Sequence, residues 1–382
     1  MVSEELMSRR EFLRRAAEMG VGAVLASVML ELLGPMEALA AIEAYKPVRF
    51  QKKLPANKAQ CLVCPFNCKL VLGEVSQCLT KVNRAGKVMT FAFNNPSIIS
   101  VDPIEKMPLY HYRPGAETLS LAVGGCNLHC IYCQNWQESQ KSSKEQRTTR
   151  LTGADAMKAL KKKDLHVLAY NYTEPVVFLE WIEILSAAAA RRKIPSVAGT
   201  GAYINKKPLK HMCRYVDAFV VGLKGFTEEF YRKVTGASLR PVLDALVTIK
   251  EEDKHLEVVT LIVPTHNDDM KKIKELVRWV KKNLGEDTPL HFSRFVPMYK
   301  LRNLPQTPLK TLENARKAAQ DAGLRYVYIV NLSPHPGNDT YCHKCKKPLI
   351  KRVGLKILRN DIKDGKCPHC GAKIPGVWDE TE

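Results

Sequence analysis

No stretch of this chain is both uncharged and long enough to cross a bilayer as a helix. The most apolar segment near the amino terminus, VGAVLASVML at 21–30, lies between Glu18 and Glu31, short of the ~20 residues that a span requires. Acidic residues are scarce too: 39 Asp plus Glu stand against 59 Lys plus Arg, a formal charge of +20. Such an excess attracts phosphates or anionic surfaces. The lysines, however, fall in short runs such as Lys161 to Lys163, Lys271–Lys272 and Lys281–Lys282, mostly on predicted helices, and no aromatic-basic RNA motif accompanies them. Solvated helix faces account for them better than nucleic-acid contact does. Internal repeats and low-complexity tracts are also missing. With 45% hydrophobic residues over 382 positions, the chain buries a sizeable core and is not globally disordered.

Cysteine, by contrast, is plentiful. Eleven of the twelve fall into three groups: Cys61, Cys64, Cys68 and Cys78; Cys126, Cys130 and Cys133; Cys342, Cys345, Cys367 and Cys370. Only Cys213 stands apart, and it reads as a small buried hydrophobe. C-x2-C and C-x3-C steps let two sulfurs converge on one metal from a single turn, whereas a disulfide framework does not need such tight pairs. The tail spacing, C-x2-C-x21-C-x2-C, predicts two knuckles across a short β-ribbon holding one tetrahedral ion, zinc ahead of iron. The first group, C-x2-C-x3-C-x9-C, suits an auxiliary iron–sulfur cluster or a zinc site, and spacing alone does not separate them.

The amino terminus reads as a twin-arginine signal. Arg9–Arg10 in SRREFL precede the modest apolar segment, and Ala38-Leu39-Ala40 offers a small-residue cleavage site. Export to the periplasm, or a membrane tether through the leader, is therefore expected; a basic amphipathic helix on a cytoplasmic protein is the alternative.

From about Thr118 the chain alternates strand and helix signals. Short strands are expected at 118–123, 166–170, 195–199, 218–223, 257–263, 291–296 and 326–330, with helices including 176–192, 268–284 and 311–322, the last stopped by Gly323. This alternation predicts an α/β fold with a parallel sheet, closed or partly closed as a barrel. The expected divisions are 1–40 (leader), 41–117 (cysteine-rich segment), 118–332 (partial barrel) and 333–382 (zinc-ribbon-like domain). Polar and glycine-rich stretches follow successive strands: the cysteines at 126–133, NYTEP at 171–175, GTGAY at 199–203, and Lys224. In parallel α/β architectures these strand ends share one face, and chemistry is built there.

Three cysteines leave one ligand short of a closed site. They can hold three irons of a [4Fe–4S] cluster and leave the fourth open; a zinc knuckle completed by His129 is the alternative. C-x3-C-x2-C after the first strand of a barrel resembles the signature of the radical S-adenosylmethionine (SAM) enzymes. That resemblance implies SAM bound through its amino and carboxylate groups at the open iron and split by one electron into methionine and a 5′-deoxyadenosyl radical. Tyr132 would then flank adenine. Glu174, with Asn171 and Thr173 beside it, would take the methionine ammonium. Thr200 and Gly201 allow close approach to ribose or carboxylate, and Lys224 would bind the carboxylate.

More narrowly, DPIEKMPLYHYRPG (102–115), GGCNLHCIYCQNWQESQ, YTEP, LKGFTEEFYRKV (223–234) and TPLHFSRFVPMYK (288–300) resemble the radical SAM enzyme of the AmmeMemoRadiSam system, related to pyruvate formate-lyase activating enzymes. The resemblance runs from Cys61 to Trp378. It implies a low-potential electron donor and partner proteins from that system, with no substrate specified. Two departures stand out: Gly222 replaces the aspartate usual two residues before the lysine, and VAGTGAYI differs from the usual TNGYI turn. An RNA-modifying radical SAM enzyme and an electron-transfer protein without SAM chemistry are the competing readings.

Overall fold

Short apolar strands too small to bury themselves are stacked side by side in the order in which they are made. In the computed structural model, which describes residues 45–378, one sheet comprises β1 (Ile98–Pro103), β2 (Glu117–Ala122), β3 (Val167–Tyr170), β4 (Ser196–Thr200), β5 (Ala218–Gly222), β6 (His255–Ile262), β7 (Leu290–Arg294) and β8 (Val327–Val330). Strands β2 to β8 are parallel, and β1 runs antiparallel to β2 with Ser100 opposite Ser120. The seven parallel strands fall within two residues of their expected bounds. The edge strand β1 is absent from the sequence reading, because IISVDP alternates exposed and half-buried positions without a fully buried face. The sheet is open, with β1 and β8 as its edges. The expected leader lies outside the described residues. Among those residues no helix is long and apolar enough to cross a membrane.

Helices cover one face of this sheet: α1 (Gly153–Lys162), α2 (Leu179–Ala190), α3 (Lys206–Met212), α4 (Leu239–Glu251), α5 (Met270–Leu284) and α6 (Leu309–Asp321). Helix α5 shows why they form. Its apolar residues Ile273, Leu276, Val277, Val280 and Leu284 recur at helical spacing and are buried, while lysines occupy the other face. Asp269 caps its start by accepting from the Lys271 amide at 2.8 Å, and Gly285, at φ +98°, ends it. Each buried aliphatic side chain there is worth about 1.5–3 kcal/mol.

The other face curves around the segment between β1 and β2. Ile104, Met107, Leu109 and Tyr112 pack against Val167, Ala169, Val197, Ala218 and Val220. Below them lies a polar floor. The buried Glu257 carboxylate accepts from the His111 amide at 2.8 Å and pairs with His255 at 3.0 Å and His291 at 2.7 Å. Beside it, Arg352 donates to Thr340 at 2.8 Å, Thr340 bonds Tyr328 at 3.0 Å, and Tyr328 bonds His111 Nε2 at 2.6 Å. The other ring nitrogen of His111 donates to Pro375 O at 2.6 Å. That chain runs in one direction and is satisfied by the neutral imidazole. Nearby, Trp378 stacks at a tilt on His111, and a Cβ on Gly376 would lie 2.6 Å from the His111 carbonyl.

Past β8, an antiparallel sheet of β9 (Thr340–Tyr341), β10 (Pro348–Val353) and β11 (Lys356–Asn360) presents the tail cysteines. Their four sulfurs all lie within 4.8 Å of one another, with Cys342–Cys370 at 3.6 Å and Cys345–Cys367 at 3.7 Å. A tetrahedron with metal–sulfur bonds of ~2.3 Å has edges of about 3.8 Å, so the donor set fits a single ion. Near the other end of the chain, residues 51–53, 59–61 and 69–70 form a small antiparallel sheet, and Lys81–Arg84 pairs with Lys87–Thr90. Asn205 ties the first of these to the body, donating to Leu62 O at 2.8 Å and Cys64 O at 3.1 Å.

Two outcomes follow from this frame. Burial holds the His111 imidazole down to about 4 against an ordinary 6.5, so in that window the unfolded chain binds the extra proton. Stability present above pH 6.5 is therefore lost as pH falls toward 4, by about 3 kcal/mol at most. Denaturant midpoints between pH 7 and 4 are expected to fall less steeply in a His111→Asn variant, and equal slopes would refute this account. The second outcome concerns the tail: Cys367→Ala is expected to remove one metal ion per chain and to lower the melting temperature, checked by elemental analysis and calorimetry.

Candidate active site

Strand β2 delivers the chain to its C-terminal edge, and four residues later Cys126 opens the central cysteine loop. The loop is held on several sides. The His129 amide donates to Thr235 O at 2.8 Å and the Ile131 amide to Val234 O at 3.0 Å, while the Lys300 amide donates to Ile131 O at 3.0 Å. Asn127 donates to Tyr203 O at 2.7 Å from within the loop. These anchors come from the segments that follow β4, β5 and β7, so the loop's shape is imposed by its surroundings. Next to it, the rings of Trp136 and Tyr299 stack at 5.2 Å.

Cys126, Cys130 and Cys133 all face one cavity of about 370 Å³ at the C-terminal edge of the sheet. Burial raises Cys126 well above the usual thiol range, with Glu174 adding to it, and pushes Cys130 up to about 11 against the opposing pull of Lys224. A bound cation reverses that preference and takes the thiols as thiolates. No three of these sulfurs and neighbouring ligand atoms lie within 4.8 Å of one another among the described residues. His129 pairs with Gln140 at 3.2 Å.

Tyr132, Asn171, Thr173, Glu174, Thr200, Gly201 and Lys224 line the same cavity. Glu174 is its electrostatic centre. Its carboxylate accepts from the Thr200 hydroxyl at 2.5 Å, the Gly201 amide at 2.8 Å and the Val176 amide at 3.2 Å. Burial raises its pKa, with those three bonds and then Lys224 opposing. Two oxygens offer about four lone pairs, so one acceptor position is left over. Thr173 is committed elsewhere, donating to Val123 O at 2.8 Å and tying the YTEP turn to the end of β2. Gly201 is required by space: a Cβ there would lie 2.4 Å from the Leu128 side chain.

Lys224 sends its ammonium back over Gly222, where a Cβ would stand 2.4 Å from Nζ. The departure at Gly222 is thus coupled to the lysine's path. Among the described residues that ammonium has neither a hydrogen bond nor an ion pair. The Tyr132 hydroxyl is likewise buried without a hydrogen-bond partner. Both residues line the one cavity, where an anionic, polar ligand would satisfy them.

Sequence reasoning overlooked the rim. Lys106 lies on the cavity wall, donating to Asp102 at 2.6 Å and Tyr172 at 2.8 Å, and Tyr172 closes the triangle by donating to Asp102. Asn135 donates to Tyr172 O at 2.6 Å. The signal was the i, i+4 acid–base pair in DPIEK, which is indistinguishable from an ordinary surface pair until β1 places it.

The Radical SAM superfamily model matches residues 121–280, from β2 through α5. An uncharacterized protein of Methanocaldococcus jannaschii is 39% identical over 327 residues, spanning 85% of this chain and 97% of that one. The (2S)-3-sulfopropanediol dehydratase activating enzyme of Klebsiella oxytoca is 23% identical over 112 residues, 29% of this chain and 35% of the enzyme. Among solved structures, a domain of pyruvate-formate lyase-activating enzyme from Bacteroides vulgatus is similar at a TM-score of 0.37 and 15% identity, covering 42% of this chain and 96% of that one. The matched segment holds the three-cysteine loop and every cavity residue from Cys126 to Leu261, and the chain belongs to the radical SAM superfamily.

Proposed function

We propose that this protein is a radical SAM enzyme of the activating type, abstracting hydrogen from a partner protein, with the AmmeMemoRadiSam partners as first candidates. The observation that carries the reading is the pairing of three cavity-facing thiols with an unpaired Lys224 and a Glu174 that retains one acceptor position. Cys126, Cys130 and Cys133 would hold three irons of a [4Fe–4S] cluster. When bound, that cluster supplies a low-potential electron and an open iron at which SAM is split to a 5′-deoxyadenosyl radical.

The chain's own residues do the rest. Lys224 receives the SAM carboxylate, and Glu174 receives the ammonium. Thr200 acts through Glu174, fixing the carboxylate's orientation. Thr173 fixes the turn that presents it. Tyr132 lends its buried ring and unsatisfied hydroxyl to the adenosine portion. Asn171, packed against Gly199, shapes the wall between them. The similarity to the (2S)-3-sulfopropanediol dehydratase activating enzyme supports a protein substrate over RNA. The electron would come from an external low-potential donor, zinc would occupy the tail site, and the twin-arginine leader would carry the folded protein outward.

Reduced, reconstituted protein mixed with SAM is expected to release 5′-deoxyadenosine; none would be formed by a cluster protein that only relays electrons. Lys224→Met is expected to keep its iron content while KM for SAM rises about 10- to 100-fold, the value of one charge-assisted bond of about 1.5–3 kcal/mol. Lys224→Arg should recover part of that loss. An unchanged KM in Lys224→Met would refute the assignment.

A further inference from the structure

The first cysteine group lies against the active site. Cys61, Cys64, Cys68 and Cys78 ring a small cavity of their own, closed by Asn127 and by Val176–Val177. Asn127 stands between Cys126 and Leu128, which line the active-site cavity, and Val176 follows two residues after Glu174. The two cavities therefore share walls one residue thick. Gly125 shows how closely they approach: at φ +103°, a Cβ on it would lie 2.4 Å from the Cys78 carbonyl oxygen. Any side chain at 125 would push the two cysteine loops apart.

The spacing of the sulfurs separates this group from the tail. The tail sulfurs meet the edge lengths of a tetrahedron around one ion. Here no three of the four lie within 4.8 Å of one another. Thiolates set farther apart, around an enclosed space, suit a cube of iron and sulfide standing between them. A second, independent feature points into the same space. Lys81 is 2% exposed, has no carboxylate within salt-bridge distance among the described residues, and sets Nζ 3.8 Å from Cys78 Sγ. Its other partners, Val177 O at 2.8 Å and Thr80 Oγ1 at 3.3 Å, are neutral. With Glu180 acting only from beyond contact distance, a buried ammonium calls for negative charge beside it, and a cluster held by four thiolates brings it.

We infer that Cys61, Cys64, Cys68 and Cys78 hold a second [4Fe–4S] cluster, and that it passes electrons through the shared Gly125–Asn127 wall to the cluster at Cys126, Cys130 and Cys133. The transfer moves one electron and no bond or proton. An external low-potential one-electron donor reduces the second cluster from 2+ to 1+. That cluster returns to 2+ as the first becomes 1+. This inference rests on the radical SAM reading for its acceptor, while its metal content does not.

The test uses the full chain, purified anaerobically, with a Cys126→Ala/Cys130→Ala/Cys133→Ala variant. That variant is expected to retain about four irons and four sulfides, and to show on reduction a paramagnetic signal that SAM does not move. A second variant, Cys64→Ala/Cys68→Ala, should lose that signal and keep the SAM-sensitive one. Zinc without sulfide in the first variant, beyond the ion held by Cys342 and its partners, would overturn the cluster. For the relay, the fully reduced wild type should give a spin-coupled spectrum broader than the sum of the two variants' spectra; a simple sum would overturn it. Lys81→Met is expected to lower the midpoint potential of the second cluster, since a cation facing it favours the reduced state. Absence of 5′-deoxyadenosine from the wild type would count against the radical SAM reading alone.

Discussion

Holding three cysteine thiols apart around one cavity is the constraint to which the rest of this architecture answers. Left to itself, a loop with three cysteines closes on whatever fourth donor comes near. Here it cannot. Residues 233–236, the loop after β7 and the turn after β4 each hold a backbone or side-chain group of the loop. His129, the nearest spare donor, is engaged by Gln140. The openness of the site is a property of the surrounding sheet, more than of the cysteine spacing.

Burial that raises the thiols also raises Glu174, and both are resolved by charge brought in from outside. The cavity contains a cation with no partner, a carboxylate bound by three donors and a hydroxyl with none. Such an arrangement is costly when empty. On the proposed reading, an iron cluster and a zwitterionic ligand would supply the charges that offset it.

Much of this was legible in the sequence. Short, nearly continuous apolar runs located all seven parallel strands, because each is buried on both faces or nearly so. Strand order alone then brought Cys126, Glu174, Thr200 and Lys224 to one edge. The edge strand β1 escaped, since its outer positions Ile99 and Val101 are exposed and its length matches a loop. Lys106 and Tyr172 escaped for a related reason: a lysine four residues from an aspartate looks solvated until an unpredicted strand turns it toward the cavity. The threonines were visible as residues near the site, but whether a hydroxyl faces ligand or backbone depends on distances of a few tenths of an ångström, which no spacing encodes. For Gly222 the sequence showed an anomaly, and the structure lays the Lys224 side chain over that position.

The base of the sheet is closed by residues far from it in sequence. His111 lies between β1 and β2, yet its ring bonds the Pro375 carbonyl, its own carbonyl faces Gly376, and Trp378 rests against it. The eight strands can therefore pair while that underside waits for residues 375–378 to dock. Closure of that end is therefore a long-range event, set by a contact spanning 264 positions of sequence rather than by sheet pairing.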